Sequence, residues 1–248
     1  MTASFKDHFS SRAAAYAAFR PSYPEALADR LAGLAPARLL ALDVGCGSGQ
    51  LSTLLAARFD RVVATDASAA QIENAAPHPR VAYRCAPAEA SGLDDASVDL
   101  ITAAQAAHWF GLDAFYREVR RVLVPRGAIA LISYGVIEAD GAAGETLARF
   151  YAALGPYWPP ERRHVETGYR GLPFPFDEIE APRLAMSAEW PLAGVLGYVE
   201  TWSALRGMER ALGPAPLARF AEELAAAWGE PAAAHQIRWP LALRLGRV

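Results

Sequence analysis

The chain is poor in cysteine, lysine and methionine: two, one and three of them in 248 residues. The two thiols, Cys46 and Cys85, do not stand at a metal-ligand spacing, and so few fit a reduced, cytoplasmic chain with no metal site. Basic charge is carried almost wholly by arginine, 23 to one, which reflects base composition more than function. There is no basic excess either. The net charge is −3 and the pI near 6.0, so a nucleic-acid partner, which calls for a basic stripe, is not expected. The short clusters Arg162-Arg163-His164 and Arg117/Arg120/Arg121 read as solvated faces. No apolar run is long enough to span a membrane, and the start, Met1 to His8, has no apolar core of a signal peptide. No serine–histidine–aspartate or metal constellation is apparent.

What is present is a globular composition, 53% hydrophobic and 21% charged, at a length suited to one α/β domain with a modest insertion. The most informative run is Leu42-Asp43-Val44-Gly45-Cys46-Gly47-Ser48-Gly49. It follows an apolar stretch from Leu39 and precedes a helical pattern at Leu51, Leu54 and Leu55, so it reads as strand, glycine-rich turn, helix. Such a turn at a helix N-terminus holds nucleotide-like cofactors. The dinucleotide pattern wants a third glycine at position 50, which is Gln50. Next, Arg61-Val62-Val63-Ala64-Thr65-Asp66 reads as a second strand ending in an acid. Asp66 can accept the ribose hydroxyls of an adenosine, in an NAD site or another, or cap the helix at about 69–75 together with Ser68.

A third strand, Val81–Cys85, is followed by Ala86-Pro87-Ala88-Glu89. Leu93–Thr102 leads into strand four, and Arg121–Ile132 reads as helix end, Pro/Gly turn and strand five. The spacing Asp43-x-Gly45-x-Gly47-x-Gly49 resembles motif I of the class I S-adenosylmethionine (SAM) methyltransferases. Residues 35–134 are similar to the type 11 methyltransferase domain. Two further stretches, Phe9–Pro24 and Ala103-Ala104-Gln105-Ala106-Ala107-His108-Trp109-Phe110, resemble the small-molecule enzymes related to trans-aconitate methyltransferase. The resemblance implies a Rossmann-like α/β fold: a mostly parallel seven-stranded sheet with an antiparallel last strand and helices on both faces. It implies four regions, 1–34 as N-terminal lid helices, 35–134 as the SAM-binding core, 135–182 as a cap with an aromatic loop, and 183–248 completing the sheet.

The cofactor implied is S-adenosyl-L-methionine. Its expected contacts are Tyr16, Arg20, Asp43, Gly45, Cys46, Gly47, Gly49, Asp66, Ala67, Ala88, Glu89 and Gln105. Arg20 offers a forked cation for the carboxylate of the methionine part, or stabilises the end of a helix over 5–20 through its dipole. Tyr16 either supplies a hydroxyl or packs that helix. Pro87 replaces the acid that touches adenine in the family, which leaves Glu89 for that contact. His108 is the candidate base, at the mouth of the sheet, or it is held structurally beside Trp109. Trp109, Tyr134, Trp158, Tyr169 and Arg170 are expected on the acceptor side. The implied reaction is in-line methyl transfer to a small molecule, with a carboxylic acid in view. An NAD-dependent oxidoreductase and a non-catalytic SAM-binding protein are the alternatives. A monomer or weak homodimer is expected.

Beyond residue 134 the pattern predicts a helix at about 142–154, then the loops Gly155–Pro160 and Gly171–Phe176, rich in proline and aromatics. A strand (Arg183–Trp190), helices at about 193–205 and 214–229, and a last strand (Ile237–Leu245) complete the chain. A loop this long points to a functional cap.

Overall fold

The computed structural model describes residues 21–248. The expected helix over 5–20, with Tyr16 and Arg20, lies outside the described residues. The first described helix, α1 (Glu25–Ala32), starts after Pro24 and buries Leu27, Ala28, Leu31 and Ala32 along one stripe. The alternation that follows is β1 (Leu40–Val44), α2 (Gln50–Leu55), β2 (Arg61–Asp66), α3 (Ala69–Glu73), β3 (Val81–Cys85) and β4 (Val98–Ala104). A short 3-10 turn (Ala107–Trp109) then leads to α4 (Leu112–Val122) and β5 (Leu123–Tyr134).

The strands are hydrogen-bonded in the order 3-2-1-4-5-8-6, and β7 (Leu184–Trp190) also pairs with β8 (His235–Arg247). The pairs β3–β2, β2–β1, β1–β4 and β4–β5 are all parallel. Strand β8 runs antiparallel to β5 and to its outer neighbours, β6 (Asp177–Ile179) and β7. This is the doubly wound sheet with a reversed last strand that the sequence resemblance implied. The described residues form eight strands rather than seven because the outer strand is broken. Ile179 pairs with Leu245 and Leu184 with Leu241, so Glu180–Arg183 bulges out opposite a shorter stretch of β8. Pro182 lies in that bulge, where its missing N–H removes nothing from a ladder.

The central strands are buried on both faces, as parallel sheets require. On one face Ala41, Leu100, Ala128, Ala130 and Ile132 pack with α1, α2 and the C-terminal helices. On the other, Leu42, Val63, Ile101, Ile129 and Leu131 meet Phe115, Val119 and Val122 of α4. The expected Pro/Gly turn before strand five is a loop-out inside it: Val98 pairs with Leu123, but Leu100 pairs with Ala128. Arg126 takes a positive φ of 67° there.

After β5 come α5 (Gly141–Ala153), a 3-10 turn (Gly155–Tyr157) and α6 (Arg162–Glu166). The helix expected at 193–205 is two, α7 (Leu192–Glu200) and α8 (Ser203–Leu212). Trp202 is extended between them, its ring edge-on to Tyr151 and Tyr198, and aromatic packing of this kind outweighs the continuing helical period. A final helix, α9 (Ala215–Trp228), precedes β8.

The expected cap divides in two. The Gly171–Phe176 half lies against α4: Tyr116 donates to Pro173 O (2.7 Å), and Arg120 covers the Phe176 ring. Arg244 donates to Tyr169 O and Leu172 O and stacks on Phe174. The Gly155–Glu166 half remains beside the carboxyl ends of the strands, where Val165 packs in the cluster of β4 and β5.

Candidate active site

The chain crosses from β3 back over β1 to β4, so the carboxyl end of β1 lies at the point where the strand order reverses. Open α/β sheets bind ligands there. The glycine turn fills this place. Gly45 has φ 67°, and a Cβ on it would lie 2.5 Å from Ala106 Cβ, so only glycine lets the segment after β4 close against the turn. Gly49 has φ 87° and stands at the N-cap of α2; a Cβ there would meet Tyr83 Oη at 2.1 Å. Cys46 N–H donates to Thr65 O (3.0 Å) and Gly49 N–H to Cys46 O (3.0 Å). Burial and the nearby Asp43 and Asp66 push the Cys46 thiol up, so it stays protonated and fills space.

Asp66 faces the turn from β2. Its Oδ2 accepts from Gly47 N–H (2.9 Å) and its Oδ1 from Ser68 N–H (2.8 Å). Each oxygen has further acceptor capacity, which is what a pair of ribose hydroxyls needs. The capping role belongs to Ser68, whose hydroxyl accepts from Gln71 N–H. The cradle therefore fits an adenosine: backbone without Cβ atoms beside a part-buried acid.

Asp43 differs from expectation. It is 1% exposed, and its two oxygens accept from Ser52 Oγ (2.6 Å) and Thr102 Oγ1 (2.8 Å). It ties β1 to α2 and β4 from beneath the turn. Burial raises its pKa to about 6, against the lowering by its two hydroxyl donors. Ser52 and Thr102 were not read from the sequence. The available signal was a hydroxyl residue within each of two apolar elements, Thr102 in β4 and Ser52 beside Thr53 in α2.

Around the turn, Ala67 is exposed and its carbonyl faces Cys85 Sγ (3.7 Å). Ala88 packs against the α4 side of the core. Glu89 Oε1 accepts from Gly111 N–H (2.8 Å), which ties the loop after β3 to the start of α4. Gln105 follows β4 with φ 55°, a left-handed conformation that is uncommon for a non-glycine residue and concentrates at functional sites. Its backbone N–H donates to Ile132 O (2.8 Å) and its side chain to Tyr134 O (3.3 Å).

His108 lies one turn further on. Its Nδ1 is 3.0 Å from Tyr169 Oη, and its ring is 4.7 Å from that of Trp109 between centroids. Burial, then the charges of Arg162 and His164, lower its pKa to about 4, so the ring is neutral at pH 7. Tyr169 is fully buried with φ 62°, and burial pushes its phenol up. Its hydroxyl is the partner of His108 Nδ1 and its ring belongs to the core. Trp109 is 43% exposed, Tyr134 is nearly buried at the end of β5, and Arg170 is exposed.

The cation brought to this region is Arg162, which composition had placed on a solvated face. Its side chain is 23% exposed, its guanidinium lies 4.9 Å from the centre of the Trp158 ring, and its Nε donates to Tyr151 Oη (3.2 Å). Arg162, Tyr151 and Trp158 line a cavity of about 380 Å³. Among the described residues no group of three or more His, Cys, Asp or Glu side chains could hold a metal, and no helix is long and apolar enough to cross a membrane.

Comparison with known proteins agrees with this geometry. A methyltransferase domain family matches residues 42–131, the stretch from the glycine turn to β5. A Dictyostelium discoideum protein named as a candidate methyltransferase is 35% identical over 204 residues, covering 80% of this chain and 78% of that one. An uncharacterised methyltransferase of Mycobacterium bovis is 39% identical over 136 residues, 53% of this chain and 55% of that protein, so the chain spans about half of it. The solved structure of a candidate type II methyltransferase from Anaeromyxobacter dehalogenans is 51% identical and superposes with a TM-score of 0.89, over 92% of this chain and 97% of that one.

Proposed function

Because the chain belongs to the class I S-adenosylmethionine-dependent methyltransferases, we propose that it methylates a small-molecule carboxylic acid at the carboxyl end of β4. S-adenosylmethionine is the cofactor of the family. When bound, it supplies a methyl carbon on a positively charged sulfur, already activated for in-line displacement. The residues that would hold it are the turn Gly45–Gly49 and Asp66, with Gln105 at its edge. Tyr16 and Arg20 belong to the same proposal, from the sequence resemblance.

The work left to the protein is alignment and exclusion of water. Trp109 and the buried Tyr134 supply apolar walls on the acceptor side. The observation that carries the choice of a carboxylic acid is the state of His108. With its pKa lowered to about 4 it is a weak base at neutral pH, and an ammonium or a phenol brings a proton that must leave before its lone pair can attack. A carboxylate brings none. His108, braced by Tyr169, then acts as a neutral hydrogen-bonding group rather than as a base. The arrangement therefore favours methylation on a carboxylate oxygen.

The test is transfer of labelled methyl from S-adenosylmethionine to acids, phenols and amines at pH 7. The expected result is label in a base-labile ester of an acid. Label only in amines or phenols refutes the choice of acceptor. Binding of S-adenosylmethionine without turnover on any acceptor returns the chain to a non-catalytic binding role.

A further inference from the structure

A guanidinium seldom stays mostly buried without a partner that repays its desolvation. Arg162 is mostly buried on the five-residue helix α6 between the proline-rich turn and Tyr169, and Tyr151 and Glu166 engage it at one nitrogen. One face is covered by Trp158, and Tyr151 lies on another side with its ring centre 5.9 Å away. Tyr151, Trp158 and Trp202 form a mutual ring cluster with centroids 5.4–5.9 Å apart. Among the described residues the polar contacts of Arg162 use Nε, which meets Tyr151 Oη at 3.2 Å and Glu166 Oε1 at 3.8 Å. Glu166 is itself committed to the Tyr151 hydroxyl at 2.5 Å. The indole N–H of Trp158 is buried and has no hydrogen-bond acceptor among the described residues.

Beside these groups lies the cavity of about 380 Å³, lined also by Pro159, Arg163 and Glu166. Its charged lining is two guanidiniums against one carboxylate, a net positive recess with apolar walls. Tyr169, whose hydroxyl meets His108 Nδ1 at 3.0 Å, donates its backbone N–H to His164 O (2.7 Å), so α6 lies beside the segment after β4. Sites for small ligands have this make-up: concave, mostly apolar, with a few converging polar groups.

The geometry points to Arg162 as the residue that fixes acceptor specificity, by pairing its Nη groups with a carboxylate of a small acid whose apolar body lies against Trp158 and Tyr151. This deepens the proposed function and rests on it. A planar fork matches a carboxylate in two parallel hydrogen bonds, and the Trp158 face holds the fork in place. A neutral amide of the same shape offers one acceptor oxygen and no charge, so the recess discriminates by charge rather than by size. A cation is disfavoured, because Arg162 already occupies the aromatic cluster.

The experiment uses the full chain with S-adenosylhomocysteine bound. Succinate, glutarate, phenylacetate and cinnamate, with their primary amides, are titrated by calorimetry and offered as acceptors with labelled S-adenosylmethionine. At least one acid is expected to bind and to take label, with its amide at least tenfold weaker. Arg162→Met is expected to raise KM for that acid at least tenfold, with cofactor affinity within twofold of wild type, and Arg162→Lys to fall between. If Arg162→Met does not fold, the acid–amide pair on the wild type and Arg162→Lys decide. Cofactor binding with no acid bound, equal binding of acid and amide, or a variant that lowers kcat without raising KM overturns the assignment. Failure of the wild type to bind S-adenosylmethionine overturns the methyltransferase reading beneath it instead.

Discussion

Replacing Gly49 by alanine tests whether the glycine turn is fixed by backbone shape and by Tyr83. Two costs add. An alanine at φ 87° pays about 1 kcal/mol for the left-handed conformation. Its Cβ would stand 2.1 Å from Tyr83 Oη and 2.8 Å from two ring carbons, so the ring must swing away. It then gives up the hydrogen bond from its hydroxyl to Ala76 O (2.9 Å), about 1 kcal/mol more. Gly49→Ala should therefore cost about 2 kcal/mol, read as a lower urea midpoint with an unchanged slope. Tyr83→Ala removes the obstacle. In the double variant only the backbone cost of Gly49→Ala should remain, giving a coupling of about 1 kcal/mol. If the two single effects simply add, the steric reasoning is wrong, and Tyr83 does not set the shape of the turn.

Other expectations follow from the buried acids. Asp43 has its pKa raised to about 6 by burial, so its contribution is fully present below its unfolded value near 4 and is lost as pH rises through 6. Asp43→Asn should then unfold at higher urea than wild type at pH 8, by about 1–3 kcal/mol, and the difference should shrink by pH 4; urea midpoints at the two pH values check this. Glu118 has the opposite sign: Arg121 first, then Ser91, hold it down to about 2. Its stabilisation is present above its ordinary value of 4.5 and is lost as pH falls toward 2. Glu118→Gln should cost about 2 kcal/mol at pH 7, because Ser91 N–H and Oγ, 2.8 and 2.6 Å from Oε1, lose a charged acceptor. Acid unfolding curves of wild type and variant should converge near pH 2.

The sheet was legible in the sequence because its signals are local. Apolar strands alternate with short helices, and the strand ends carry Gly45, Asp66 and Gln105. Periodicity names the residues but not where they point. Asp43 looks like a ligand contact in the turn motif, yet the strand pleat aims it inward at Ser52 and Thr102. Tyr169 looks like a site aromatic, and packing makes it a support for His108. Arg162 looks like one of a short basic cluster on a solvated face. Its partners Tyr151 and Trp158 are near in sequence but stand on α5 and on the turn after it, so periodicity does not show that they meet, and Trp202, which completes their ring cluster, comes from a distant segment. The break at Trp202 has the same cause, aromatic packing across segments that outweighs a continuous helical period.

The central claim is that the turn from Gly45 to Gly49 and the carboxylate of Asp66 form an S-adenosylmethionine site. Calorimetry of wild type and Asp66→Ala, each titrated with S-adenosylmethionine and with NADH, tests it most directly. Wild type should bind S-adenosylmethionine and not NADH. Asp66→Ala, folded by circular dichroism, should bind it about 10- to 100-fold more weakly, the loss of one or two ribose hydrogen bonds to a charged acceptor. Tight NADH binding without S-adenosylmethionine binding, or an Asp66→Ala variant of unchanged affinity, would contradict the account.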